Sequence, residues 1–436
     1  MVQEETAKFD VILNLLKTEV VPALGCTEPI AVALAVAKAR ETLAEEPVKV
    51  DVLVSPNIFK NGMGVGVPGT GLTGLPIAAA LGSIYGRSGD CLELLKGVTP
   101  DVVEKAKSIV ENGRVNIDIK RNSPKLYVEA CCTNNHNNRA SATITQRHSN
   151  ITKVEFDGQV LECSTPGPDN SNNSHDTSTL NINFHDIVDF ATVVPFEKIK
   201  FILESAEMNN RIAQEGLKND YGLRIGKTLK RKIDKGILSD DIMNNAMLLT
   251  AAACDARMAG CALPVMSNSG SGNQGLTVTL PISAVAQKFN SGEEDIARAL
   301  VLSHLIAIYI KQYLGRLSAL CGCVVASAAA GCGACYLLGG GKKEYIHTIK
   351  NMVGSVTGMI CDGAKEGCTL KVSAGVGAAI QSALLALDGV VISSNDGIID
   401  EDVEKTIRNL GEIGSDGMTE TDELLLQIME SKVKSG

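Results

Sequence analysis

Apolar residues recur at helical spacing through residues 8–20 (KFDVILNLLKTEV). Pro29 then opens a second run, IAVALAVAKARETLAEE, which reads as a buried helix with a charged tail. At Val48 the period changes to two. Val48, Val50, Val52 and Val54 alternate with Lys49 and Asp51, and only Leu53 breaks the strand pattern. A glycine-rich loop at 61–76 (NGMGVGVPGTGLTGLP) leads into an alanine-rich helix, and DVVEKAKSIVEN is a further helix. Strands are expected at 115–119, 126–130, 142–145 and 154–156. Together these predict a mixed α/β unit over 46–163 that ends in an antiparallel meander.

The tract at 164–179, STPGPDNSNNSHDTST, is polar and almost free of apolar residues. It reads as an exposed loop, so 164–184 is taken as the boundary of two domains. Beyond it the strand signal nearly vanishes. Segments 195–217, 239–260, 293–314 and 344–364 read as helices, and the middle two are apolar on more than one face. The expected organisation is an α+β chain. Helices in 1–45 should pack on a mostly α-helical domain at 185–436, beside the α/β unit. No tandem repeat of solenoid length is evident.

Composition narrows the setting. With 436 residues, 44% of them hydrophobic, the chain can bury a substantial core. No apolar stretch escapes interruption by Gly, Ser, Cys or charge for long enough to look like a membrane span. The N-terminus, MVQEETAKFD, has no signal-peptide pattern, so a cytoplasmic protein is expected. The net charge of −9 and the lack of a basic patch interleaved with aromatics argue against nucleic acid. KTLKRKIDK (227–235) reads as a solvated helix face. The large apolar helical half is compatible with a homodimer.

The chemistry lies in the cysteines, of which there are 13. Cys321, Cys323, Cys332 and Cys335 fall in one small-residue segment, Cys361 and Cys368 flank DGAKEG, and Cys26 stands alone in ALGCTEPIA. Clustered thiols in a reducing compartment suit zinc or an iron–sulfur cluster. The spacing within 321–335 lies on an expected helix without the turn residues of a zinc knuckle. Cys91, Cys131, Cys132, Cys163, Cys254 and Cys261 read as small hydrophobes. SNSGSGNQG, just before a helix, offers Ser267, Asn268, Ser269, Ser271 and Asn273 as contacts for a substrate carboxylate. VGVPGTG is a second candidate nest, but without a Walker lysine or GxGxxG it gives nucleotide binding little support. Glu28 reads as a helix cap, His304 as a satisfied buried histidine and Lys311 as a helix-surface residue.

GCTEP, NGMGVGVPGTG, SNSGSGNQG, LCGC and CDGAKEGC together resemble the L-cysteine desulfidase family, relatives of the α chain of bacterial iron–sulfur L-serine dehydratases. The resemblance runs from about residue 10 to about residue 411. It implies a [4Fe–4S] cluster on three cysteines, two of which match Cys361 and Cys368. The third falls in LCGC, with Cys321 favoured over Cys323 and then Cys332 or Cys335. Cys26 matches the family's proposed proton acceptor. The implied activity is conversion of L-cysteine to pyruvate, ammonia and hydrogen sulfide. Dehydration of L-serine by the same machinery is the near alternative. A non-catalytic cluster- or zinc-bearing sensor and a pyridoxal-phosphate lyase are more distant ones.

Overall fold

The computed structural model describes residues 2–163, 182–314 and 318–435; the expected linker tract at 164–179 lies outside the described residues. The chain opens with α1 (Val2–Glu19), β1 (Pro22–Leu24) and α2 (Thr27–Leu43). The α/β unit follows as β2 (Lys49–Val54), α3 (Pro56–Gly62), α4 (Leu75–Ile84), α5 (Pro100–Glu111), β3 (Val115–Ile119) and β4 (Tyr127–Thr133). It closes with β5 (Arg139–Thr145), β6 (Ile151–Phe156) and β7 (Gln159–Cys163). The helical half comprises α6 (Phe184–Val193), α7 (Phe196–Ile199), α8 (Leu203–Lys218), α9 (Ile225–Asp234) and α10 (Ile242–Met258). A short β8 (Pro264–Met266) precedes α11 (Gly272–Phe289), α12 (Glu293–Leu314), α13 (Gly322–Leu337) and α14 (Lys342–Val356). The chain ends with α15 (Cys368–Leu387), α16 (Val403–Ser415) and α17 (Thr419–Ser435).

The six-stranded sheet has the order β3-β2-β4-β5-β6-β7. Only β2 and β3 pair in parallel, through Val50 with Val115 to Val54 with Ile119. The other neighbours are antiparallel, as the alternating valines and the meander predict. Val50, Val52 and Val54 turn inward, and α2 and α4 cover that face. Helix α2 is buried all round from Pro29 to Ala37, so only a fully enclosed position can take it. Gly82 of α4 makes room for it, since a Cβ there would lie 2.4 Å from the Ala33 carbonyl oxygen.

In the second core α13 lies amid α11, α12, α14 and α15. Its small residues let those helices approach. A Cβ on Gly333 would lie 2.8 Å from the Ala299 oxygen. Cys332 and Cys335 are part of this packing, and the Cys332 thiol donates to the Tyr345 carbonyl at 3.6 Å. Among the residues read as small hydrophobes, Cys132, Cys254 and Cys261 are buried, whereas Cys91 and Cys163 are exposed.

Two segments divide differently from the sequence reading. Helix α1 packs in the helical core through Ile12, Leu15, Leu16 and Val20, but α2 belongs to the sheet core. The expected N-terminal unit at 1–45 is therefore split at the turn between the helices. At the other end, α17 leaves the helical half and docks on the α/β unit. Leu426 enters the sheet core, and acidic residues of α17 meet cations: Asp422 pairs with Lys60, and Glu423 and Glu430 with Arg121. By length and composition α15 is long and apolar enough to cross a membrane, contrary to the sequence expectation, though half of it is buried against other helices.

The two halves are stitched by a ribbon too short to show alternation. Three residues of β1 pair antiparallel with β8, Pro22 opposite Met266 and Leu24 opposite Pro264. Gly275 allows α11 to lie against this ribbon, because a Cβ there would sit 1.9 Å from the Met266 carbonyl oxygen. Gly275→Ala should lower the thermal midpoint markedly, by about 1–3 kcal/mol or more of stability. Gly358→Ala, where nothing lies within 4 Å of the new methyl, should leave the melting curve near wild type.

Candidate active site at converging helix starts

Four helices begin around one buried region, and three of the candidate cysteines stand at those starts. Cys26 is the residue before α2, in an extended conformation and without a capping bond from its side chain. Cys321 occupies the same position before α13, and Cys368 is the first residue of α15. Ser271 caps α11, its Oγ accepting from the Gln274 N–H at 3.3 Å. Unpaired N–H groups at a helix start give a positive field that favours thiolates and other anions.

Specific contacts draw these ends together. Arg257, at the end of α10, donates from Nη2 to the Gly25 carbonyl at 3.2 Å and from Nη1 to Asn273 Oδ1 at 3.0 Å. It thereby joins the start of α2 to that of α11. Gly322 admits Gln274, since a Cβ there would lie 2.7 Å from Gln274 Oε1, which joins α11 to α13. Segments 319–321 and 359–361 form a short antiparallel bridge, with Cys321 N–H to Met359 O at 2.9 Å and Cys361 N–H to Ala319 O at 2.6 Å. The Cys323 thiol donates to the Lys371 carbonyl at 3.3 Å, joining α13 to α15.

The thiols sit within one another's influence. The Cys323 thiol acts most strongly on Cys321, pushing it up to about 12; burial adds to this and Cys361 opposes it. Cys361 is held well above the ordinary thiol value, first by its hydrogen bond with Cys321 and then by burial. Burial raises Cys368 too, and Lys371 and Lys365 pull the other way. Cys26 is pushed up to about 11 by burial; Arg257 opposes this, while Glu28 and Cys368 add to it. Cys26 and Cys368, one from each end of the chain, thus share one electrostatic environment.

Among the described residues, no three His, Cys, Asp or Glu side chains stand close enough to hold a single metal ion. The tight knuckle of a structural zinc site is not formed. A four-iron cube is larger than one ion and holds its thiolates farther apart. The donor chemistry fits such a group: soft thiols at two helix starts and in one loop, with Lys60, Lys311, Lys365 and Lys371 near them. Lys311, expected on a helix surface, instead feels Cys361 and Cys321 and forms no ion pair among the described residues; burial lowers it.

The serine-rich segment divides. Ser267 Oγ donates to the Val21 carbonyl at 2.6 Å, and Ser269 Oγ to Asn268 Oδ1 at 3.0 Å. Asn268 Nδ2 contacts both Nδ1 and the carbonyl of His304 at 3.1 Å. Those groups are spent in fixing the loop, while Asn273 and the start of α11 face Arg257. His304 is fully buried between Asn268 and Thr279, and burial lowers it to about 3. The VGVPGTG loop is a packing surface. Gly66 N–H bonds the Met258 carbonyl at 2.8 Å, and a Cβ there would lie 2.5 Å from Gly260 N. Glu28 sits in the first turn of α2, near His148.

Sequence reasoning missed Arg257 and Gln274. Arg257 had a signal, one of two charges, with Asp255, at the end of the otherwise apolar run AMLLTAAACDARM. Asp255 lies two residues before it. One carboxylate oxygen accepts from Gly226 N–H at 3.0 Å, and the other has no partner. A surface groove of about 730 Å³ lies elsewhere, beside Arg40, Glu45 and Arg114.

Burial raises Asp255 from 3.8 to about 6. Its folded-state pKa exceeds the unfolded one, so the native protein binds the proton more tightly and stability falls as pH rises between those values. Asp255→Asn should therefore raise the thermal midpoint at pH 8, by up to about 2–3 kcal/mol, with the advantage gone below about pH 4. Melting curves across that range check it.

Sequence comparisons agree with one another. The profile of the family described as serine dehydratase alpha chain matches residues 91–427, which include Cys321, Cys361 and Cys368 but not Cys26. A protein of Oleidesulfovibrio alaskensis named UPF0597 protein is 50% identical over 432 residues, covering 99% of this chain and all of the relative. Proteins of the same name from Parabacteroides distasonis and Porphyromonas gingivalis are 49% and 46% identical, covering 97% and 98% of this chain and 98% and 100% of their own lengths.

Proposed function

The chain belongs to the serine dehydratase alpha chain family, and we propose that it is an iron–sulfur lyase acting on a small β-substituted L-amino acid. We take L-cysteine as the substrate, cleaved with water to pyruvate, ammonia and hydrogen sulfide. The observation that carries this reading is that Cys26 lies within electrostatic reach of Cys368 and next to the buried Arg257 guanidinium, which bonds the Gly25 carbonyl. A candidate base, a cluster-ligand candidate and a cation are thus neighbours although they come from widely separated parts of the chain. L-Serine dehydration is the second reading, and the family match favours it.

In this account Cys321, Cys361 and Cys368 hold a [4Fe–4S] cluster, with Cys323 the rival to Cys321. Such a cluster, held there, would supply Lewis-acid stabilisation of the departing sulfide or hydroxide. Cys26 accepts the α-proton. The electrons of the broken Cα–H bond form the Cα=Cβ bond as the Cβ substituent leaves with its own electron pair. The aminoacrylate product tautomerises and hydrolyses to pyruvate and ammonia. Burial outweighs the pull of Arg257 and holds the Cys26 thiol above its ordinary value, so in this reading the thiol must lose its proton before it can act, after which it is a strong base. Lys311, with no ion pair among the described residues, and the Lys365–Lys371 pair, which shares the single carboxylate of Asp362, offset part of the negative charge that ligand thiolates bring into the interior.

Anaerobic reconstitution with iron and sulfide, then iron and acid-labile sulfide analysis with turnover assays on L-cysteine and L-serine, tests the proposal. Cys361→Ala should lose both iron and turnover. Cys26→Ala should keep its iron and lose about 10²–10⁴-fold in rate. A near-wild-type rate in Cys26→Ala removes it as the base, and equal loss of iron makes it a ligand.

A further inference from the structure

Arg257 is nine-tenths buried and has no carboxylate partner among the described residues. Two of its nitrogens are occupied by Gly25 and Asn273, and its Nε has no hydrogen-bond partner. That nitrogen lies against the start of α11, where a Cβ on Gly272 would sit 2.3 Å away. A cation at the positive end of a helix is electrostatically disfavoured unless an anion joins it. Gln274, in the first turn of the same helix, has its Nε2 buried and unpartnered while its Oε1 lies against Gly322. Arg257, next to Cys26, and Gln274, in the first turn of the helix that Arg257 faces, thus each keep one donor without a partner among the described residues. Buried donors in native proteins are normally paired.

We propose that Arg257, assisted by Gln274 and the first-turn N–H groups of α11, binds the α-carboxylate of the substrate. The ligand class is a small L-α-amino acid with a free carboxylate. This inference rests on the elimination reading above for its substrate class but not for its geometry. Holding the carboxylate here places Cα near the Cys26 thiol. It also explains why Ser267, Ser269 and Asn268 can be spent on the loop's own structure. Arginine suits the task because its planar fork offers several donors to one carboxylate.

Titration calorimetry on the full-length protein tests this with L-alanine, which has amine and carboxylate but no leaving group, and with L-alaninamide, which lacks the carboxylate charge. Wild type should bind L-alanine at least about tenfold more tightly than L-alaninamide, and Arg257→Gln should weaken L-alanine by about 10–100-fold. Arg257→Lys should lie between the two, and Gln274→Leu provides a second variant should Arg257→Gln fail to fold. Equal binding of the two ligands by wild type, or undiminished L-alanine binding by folded Arg257→Gln, overturns the proposal. If L-alanine binding depends on Arg257 but the reconstituted protein turns over neither L-cysteine nor L-serine, the elimination reading fails and this one stands. If turnover occurs and Arg257→Gln leaves KM unchanged, the reverse holds.

Discussion

A buried guanidinium amid helix starts is the constraint on which the site depends. Arg257 lies there at a cost, because its desolvation is not offset by a carboxylate among the described residues and the starts of α2 and α11 add positive field. What offsets it is a set of carbonyl and amide oxygens and a neighbouring thiol. The same positive field works against the burial that raises the cysteines at helix starts. Thiols that become thiolates, whether as ligands or as a base, are most stable where free N–H groups point at them.

The architecture serves this convergence. Small residues along α13 let four helices close around it, so the starts of α11, α13 and α15 come near one another. The ribbon of β1 and β8 then pins the turn carrying Cys26 beside the start of α11. Helix α2 leaves that turn for the sheet core, while α17 returns from the helical half to the α/β unit. The site therefore lies at the seam of two cores, and neither half contains it alone.

Much of this was legible in the sequence. Period-two valines gave β2, all-round apolar runs gave α10 and α12, and polar glycine-bearing DGAKEG set Cys361 in a loop and Cys368 at a helix start. The α+β class follows from those patterns. The β1–β8 ribbon was not legible, since three residues cannot display alternation. Nor was the split between α1 and α2, because apolar periodicity tells which face is buried and not against what. Arg257 was passed over as one charge in an apolar run. Its importance comes from an Nε without a hydrogen-bond partner and the lack of a carboxylate partner among the described residues, which only three dimensions reveal. The reading of Lys311 as a surface residue likewise left out the nearby Cys361 and Cys321, whose closeness to this half-buried side chain only the fold creates.

The central claim is that Cys321, Cys361 and Cys368 together hold a four-iron cluster with one iron left free for the substrate. Mössbauer spectroscopy of the protein reconstituted anaerobically with ⁵⁷Fe addresses it most directly. The expected result is a [4Fe–4S] signal in which one iron is distinct and shifts when L-cysteine or L-serine is added. Failure to assemble a four-iron cluster, or a cluster of four irons whose spectrum neither substrate alters, would contradict it.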